Sequence, residues 1–107
     1  MTDYIEVVTT TETEEDARSI AEALVARRLA ACVQIRGPIH STYRWQGRIE
    51  SASEWQCVAK TRQSLFPQVE AAIIEQHPYD VPEILALPIV AASGPYAKWL
   101  EEQTASP

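Results

Sequence analysis

The chain has 107 residues, 46% of them hydrophobic, and nine Lys/Arg against fifteen Asp/Glu give it a formal net charge of −6. That length fits one domain with one modest core, and the acidic balance excludes the clustered basic face of a nucleic-acid binder and disfavours an anionic membrane surface. No stretch approaches the roughly twenty apolar residues of a membrane span, and Met1-Thr2-Asp3-Tyr4 lacks the basic region and apolar run of an export signal, so a cytoplasmic protein with Cys32 and Cys57 as reduced thiols is expected.

Tyr4 to Thr9 reads as a short strand, since Ile5, Val7 and Val8 are β-formers. Thr11 precedes Glu14 by three positions and Thr13 precedes Asp16 by three, so either threonine can open a capping box. Glu12, Glu14, Glu15 and Asp16 crowd that first turn, where the helix dipole favours negative charge. The acidic run is read as dipole complement and solvated surface, not as a metal cage. Ala17, Ile20, Ala21 and Leu24 form one apolar face of an amphipathic helix, with Arg27 and Arg28 expected in its last turn.

Ala31 to Ile35 is a second strand, which Gly37-Pro38 interrupts with a bend or bulge. Ile39 to Trp45 resumes it, and Gln46-Gly47 is a two-residue hairpin turn. Arg48-Ile49 and then Ser53 to Thr61 return as a third strand, in which Trp55, Cys57 and Ala59 alternate with Gln56, Val58 and Lys60. The two arms are longer than the other elements can cover, and a ribbon with unpaired edges pairs with another subunit or is otherwise protected. Ser64 caps a second helix through Phe66, Val69 and Ile73, with Pro67 in its first turn. Ile84 to Val90 is a fourth strand, marked by Pro88 as an edge or a bulge. Ala97, Trp99 and Leu100 lie on a short final helix after Gly94-Pro95, and Thr104 to Pro107 reads as frayed. No repeat, low-complexity tract or linker divides residues 1–107, which are expected to form one domain.

Between the second helix and the fourth strand runs His77-Pro78-Tyr79-Asp80-Val81-Pro82-Glu83-Ile84. Pro78 and Pro82 fix φ and lack an N–H, so this connector is stiff and cannot be a helix interior. A stiff backbone holding His77, Tyr79 and Glu83 together presents polar groups at one spot. The element order β-α-β-β-α-β with an extra C-terminal helix predicts an α+β ferredoxin-like sandwich, with helices on one face of an antiparallel sheet. Right-handed crossovers place the first strand beside the third in the sheet centre.

Specific residues match a family. Ala30-Ala31-Cys32-Val33, Ser41-x-Tyr43-x-Trp45-x-Gly47, Glu54 with Lys60-Thr61, His77-Pro78-Tyr79 with Pro82-Glu83-Ile84, Leu87-Pro88 and Tyr96-x-x-Trp99 together resemble CutA, the divalent-cation tolerance proteins. The resemblance covers nearly the whole chain. It implies a ferredoxin-like subunit in a homotrimer whose long hairpin completes sheets across subunits, similar in architecture to the PII signalling proteins, which bind small effectors between subunits. It further implies a link to copper and other divalent cations. Some family members resemble copper binders through a cysteine late in the first strand and two adjacent histidines before the Pro-Tyr. Here those positions are Thr9 and Gln76-His77, and a hydroxyl is a poor substitute for a soft thiolate.

The candidate chemistry then divides by residue. His77 is either an imidazole ligand at a cleft or a cap on a free helix carbonyl. Cys32 and Cys57 read as packed small thiols, with copper or another divalent cation on His77 and Cys32 as the sharper alternative. Tyr43, Trp45 and Trp55 give the ribbon an aromatic face, for subunit packing or for stacking a ligand at Trp45. Lys60, expected in the sheet centre, must reach solvent or a carboxylate, and Glu83 is its expected partner. Lys60, Tyr79, Glu83 and Trp45 are thus the expected small-effector residues. No Gly-rich phosphate loop and no Ser/His/Asp set at motif spacing is visible, so no enzyme activity is expected. The expected partners are sister chains and one further protein.

Overall fold

The computed structural model describes residues 3–106; Met1, Thr2 and Pro107 lie outside them, and with them part of the N-terminal export reading and the last residue of the tail. The described residues form four strands and three α-helices, in the order β1 (Tyr4–Thr11), α1 (Glu14–Ala26), β2 (Cys32–Trp45), β3 (Arg48–Arg62), α2 (Phe66–Gln76), β4 (Leu85–Ile89) and α3 (Gly94–Gln103). The sheet order is β2-β3-β1-β4 with every pair antiparallel. This is the expected α+β arrangement, with β1 beside β3 at the centre and Pro88 on an edge strand.

Residue parity divides the sheet into two faces. Ile5 and Val7 of β1 and Cys57 and Ala59 of β3 face α1 and α2, where they join Ala17, Ile20, Leu24, Val69, Ala72 and Ile73 in one core. Each Leu or Ile buried there stabilises by roughly 1.5–3 kcal/mol. Thr13 is the residue that caps α1, its hydroxyl accepting from the Asp16 N–H at 3.1 Å. α1 stops at Ala26, so Arg27 and Arg28 fall just past the last turn. Arg28 takes φ of 60°, and the Leu29 and Ala30 amides turn back onto the Leu24 carbonyl. Its guanidinium instead donates to the Glu102 and Gln103 carbonyls, at the C-terminal end of α3, where a cation is favoured. A short 3-10 turn, Gln63–Leu65, precedes α2, so Ser64 is not its cap; no side chain caps that helix.

β2 and β3 run past β1, which reaches only to the Thr11–Trp55 pair. Residues 39–54 therefore form a two-stranded ribbon that projects from the body and stretches the chain to 45 × 25 × 22 Å. Gln46 and Gly47, at φ 50° and 77°, make the hairpin turn. The register slips between Arg36 and Ile39, at the expected bulge. Gly37 is required there: a Cβ would come within 2.6 Å of the Trp55 ring. Trp55 faces the helices, while Tyr43 shares its face with Glu50 and so with Glu54. The expected three-residue aromatic face is thus divided by strand parity.

The end of the chain is tied down through residue 105, not frayed. Thr104 is buried and accepts from the Arg62 guanidinium at 2.9 Å, and the Ala105 N–H reaches the Arg28 carbonyl at 2.8 Å.

Candidate functional site

β4 pairs with β1 only from Tyr4 to Val8, so the last residues of β1, Thr9 to Thr11, have no ladder partner on that side among the described residues. The connector after α2 fills the gap with a side chain. The His77 backbone N–H closes α2 on the Ile73 carbonyl at 2.8 Å, and the ring reaches across to the Thr10 carbonyl, with Nε2 at 2.7 Å. The Tyr79 N–H donates to Nδ1 at 3.2 Å. A carbonyl only accepts and an amide only donates, so Nε2 carries the proton and the Nδ1 lone pair is engaged. The expected cap on an α2 carbonyl is supplied by the backbone, while the imidazole serves as a strut between strand and connector.

That strut sets Tyr79 against β3. The Tyr79 hydroxyl donates to Glu54 Oε2 at 2.9 Å, and Glu54 is only 8% exposed. Burial, followed by the bond to Glu54, pushes the Tyr79 hydroxyl far above its usual range, so it stays a donor. Glu54, Thr10, Ser41 and Tyr43 lie on the sheet face away from α1 and α2, and residues 78–83 stand opposite them. Between them is a cavity of about 800 Å³, lined also by Trp45. Among the described residues its charged lining is Glu54, Asp80 and Glu83, with no lysine, arginine or histidine of this chain.

Trp45, Tyr79 and Glu83 therefore stand around one cavity, and Lys60 does not. The Lys60–Glu83 pair does not form. Lys60 sits directly across from Glu6 in the ladder, its Nζ 3.7 Å from Glu6 Oε2, and it also donates to Gln34. Directly opposed residues on one face are the natural pair, and they satisfy Lys60 inside the sheet. Cys32 and His77 do not share a site within one chain either. Cys32 pairs with Lys60, four residues along β3 from Gln56, the partner of Thr10. That is about 13 Å of strand, and the Cys32 face is the one that meets Tyr96 of α3, whose hydroxyl is raised by burial and then by Cys32. Cys57 lies on the opposite face, where its thiol donates to the Ala17 carbonyl at 3.4 Å and burial pushes its pKa up to about 11. Among the described residues no group of three His, Cys, Asp or Glu side chains converges on a point that could hold a metal ion.

The CutA1 divalent ion tolerance protein family matches over residues 5–103. The chain belongs to this family. Similar proteins include a divalent-cation tolerance protein CutA of Thermus thermophilus, 46% identical over 98 residues that span 92% of this chain and 95% of that one. The chloroplastic CutA of Arabidopsis thaliana is 41% identical over 94% of this chain but 55% of its own length, and mouse CutA 42% over 87% and 52%. The chain thus spans about half the length of these plant and animal relatives. Among solved structures, the Thermus thermophilus Cut A1 protein superposes with a TM-score of 0.93 at 44% identity, covering 95% of this chain and 99% of its own. CutA1 of Oryza sativa gives 0.95 at 34%, covering 98% and 96%. These CutA1 likenesses establish the α+β fold.

Glu54 appears in the sequence reading only among the family-matching residues. Its signal is its parity with Gln56, Val58 and Lys60 on β3, which puts a carboxylate on the face the connector must cross. Thr10 and Asp80 carry no comparable signal.

Proposed function

We propose that this CutA-family chain is a non-enzymatic, homotrimeric divalent-cation tolerance protein of the cytoplasm that works as a PII-like regulator. A small effector occupies the cavity between the ribbon and residues 78–83 and alters the trimer surface that a protein partner reads. One observation carries the reading: the cavity is walled on one side by the ribbon root and on the other by a connector locked to β1 by His77 and to β3 by Tyr79–Glu54. Its occupancy is therefore felt by the ribbon, whose free edges at residues 39–54 are what sister chains would pair with.

Light scattering on the purified chain tests the assembly, and the expected mass is about 36 kDa, three chains of 12.0 kDa. Titration with copper(II) and with small effectors, followed by NMR of the cavity residues, tests the site. A stable monomer, or an inert cavity, would sink the regulatory reading. Direct copper carriage on His77 and Cys32 is less supported, since His77 has both ring nitrogens engaged.

A further inference from the structure

We infer that α3 and the two residues after it form a flap, shut by an arginine clasp, that opens as a unit while the core stays folded. The clasp is visible in the carbonyls. The last four carbonyls of a helix have no partner within it, and in α3 these are Leu100 to Gln103. The Thr104 hydroxyl donates to the Leu100 carbonyl at 3.0 Å and reaches that of Glu101 at 3.3 Å. Arg28 donates from Nε to the Gln103 carbonyl at 3.3 Å and from Nη2 to that of Glu102. Arg62 holds the next two carbonyls, Thr104 at 3.2 Å and Ala105, and its Nε donates to the Thr104 hydroxyl at 2.9 Å. Every carbonyl from Leu100 to Ala105 is thus held by a side chain, and the two guanidiniums hold four of them. Among the described residues neither arginine is ion-paired, so both are given over to the tail.

Apolar packing does not do the same job. Leu100 is the one fully buried residue of α3, and it lies outside the core cluster beneath α1 and α2. Tyr96 and Trp99 pack on each other, with ring centroids 5.4 Å apart, and each stays 40% exposed. A segment with so few buried apolar contacts opens at a lower free energy than the whole molecule. The link from β4 to α3, residues 90–93, is exposed throughout and has no regular structure, which makes it the hinge. The Ser93 hydroxyl accepts from the Tyr96 N–H at 3.3 Å, so the helix keeps its cap as it moves. The flap stands at the Arg62 end of β3, the opposite end from the ribbon at residues 39–54. Its opening bares the half-buried Cys32, on the face that Tyr96 meets, and leaves Cys57 inside the core.

Hydrogen exchange read by mass spectrometry, on the full chain in its native assembly, tests the flap. In the parent the amides of α3 should exchange at least about tenfold faster than those of β1 and β3. Arg28→Gly removes one guanidinium and suits a backbone at φ 60°, while Thr104→Val keeps the side-chain shape and removes the hydroxyl. Each should speed α3 exchange by about a further tenfold, the loss expected for hydrogen bonds to a charged group, with the strand amides unchanged. Alkylation of Cys32 by iodoacetamide should rise by a similar factor, and Cys57 should stay unlabelled. Protection of α3 equal to that of β1 and β3 in the parent would overturn the flap, as would helix and strands accelerating together or both variants failing to fold. No change in α3 exchange in either variant would overturn the clasp, and a loosened α3 with Cys32 labelling unmoved would overturn the opening described.

Discussion

Replacing His77 with alanine tests whether this residue is a strut or a ligand. His77 is 9% exposed, and its ring makes two hydrogen bonds, Nε2 to the Thr10 carbonyl at 2.7 Å and Nδ1 from the Tyr79 amide at 3.2 Å. A hydrogen bond contributes about 1 kcal/mol net, but a buried partner left without one costs about 1–3 kcal/mol. With the lost ring packing, the variant should be less stable by about 3 kcal/mol. His77→Gln keeps a donor for Thr10 and should recover about half of that. In guanidinium the midpoint of His77→Ala should fall by roughly 0.7 M, taking a slope of about 4 kcal/mol/M for a chain of this size. Proteins must be compared at equal protomer concentration, because assembly makes stability depend on it. A midpoint within about 0.1 M of the parent would refute the strut. So would a large loss of copper affinity with stability unchanged, since that result requires a free ring nitrogen.

Gly37→Ala should cost about 1–3 kcal/mol through overpacking, because the new methyl meets the Trp55 ring at 2.6 Å and the Glu54 carbonyl at 3.2 Å; thermal melts check it, and Trp55→Leu should relieve most of the penalty. Cys57 should resist alkylation in the folded protein at pH 8 while Cys32 reacts, read by mass spectrometry, since Cys57 is 1% exposed and its pKa is pushed to about 11. That pKa lies above the 9.0 of an ordinary thiol, so the unfolded chain loses the proton first and stability falls as pH rises from 9 to 11. The fall is about 1.4 kcal/mol per pH unit, and denaturant titrations of Cys57→Ala should lack that component.

Most of the fold was legible because it rests on local rules. The 3.6-residue spacing of Ala17, Ile20 and Leu24, the Gln46-Gly47 turn and the Gly37-Pro38 interruption each fix local geometry, and each stands where expected. What failed was decided by distant groups. Arg28 looked like a cation for its own helix but serves the end of α3, 74 residues away. Thr104 looked like a loose end but is captured by Arg62. Neither pairing leaves a trace in local spacing.

The site was half legible for the same reason. The stiffness of the connector follows from two prolines, so Tyr79 and Glu83 could be placed together without knowing the sheet. Their counterpart across the cavity depends on register. Lys60 and Glu54 lie on the same face of β3 six residues apart, yet only Glu54 reaches the connector, because β4 begins opposite Val8 and covers the lysine's end of β1. Beyond Val8 the strand edge is open, and His77 and Tyr79 enter there. The length of β4 therefore decides which charge on β3 lies inside the sheet and which faces the cavity. Extending the pairing of β4 past Val8 would displace His77 from Thr10 and close the approach to Glu54.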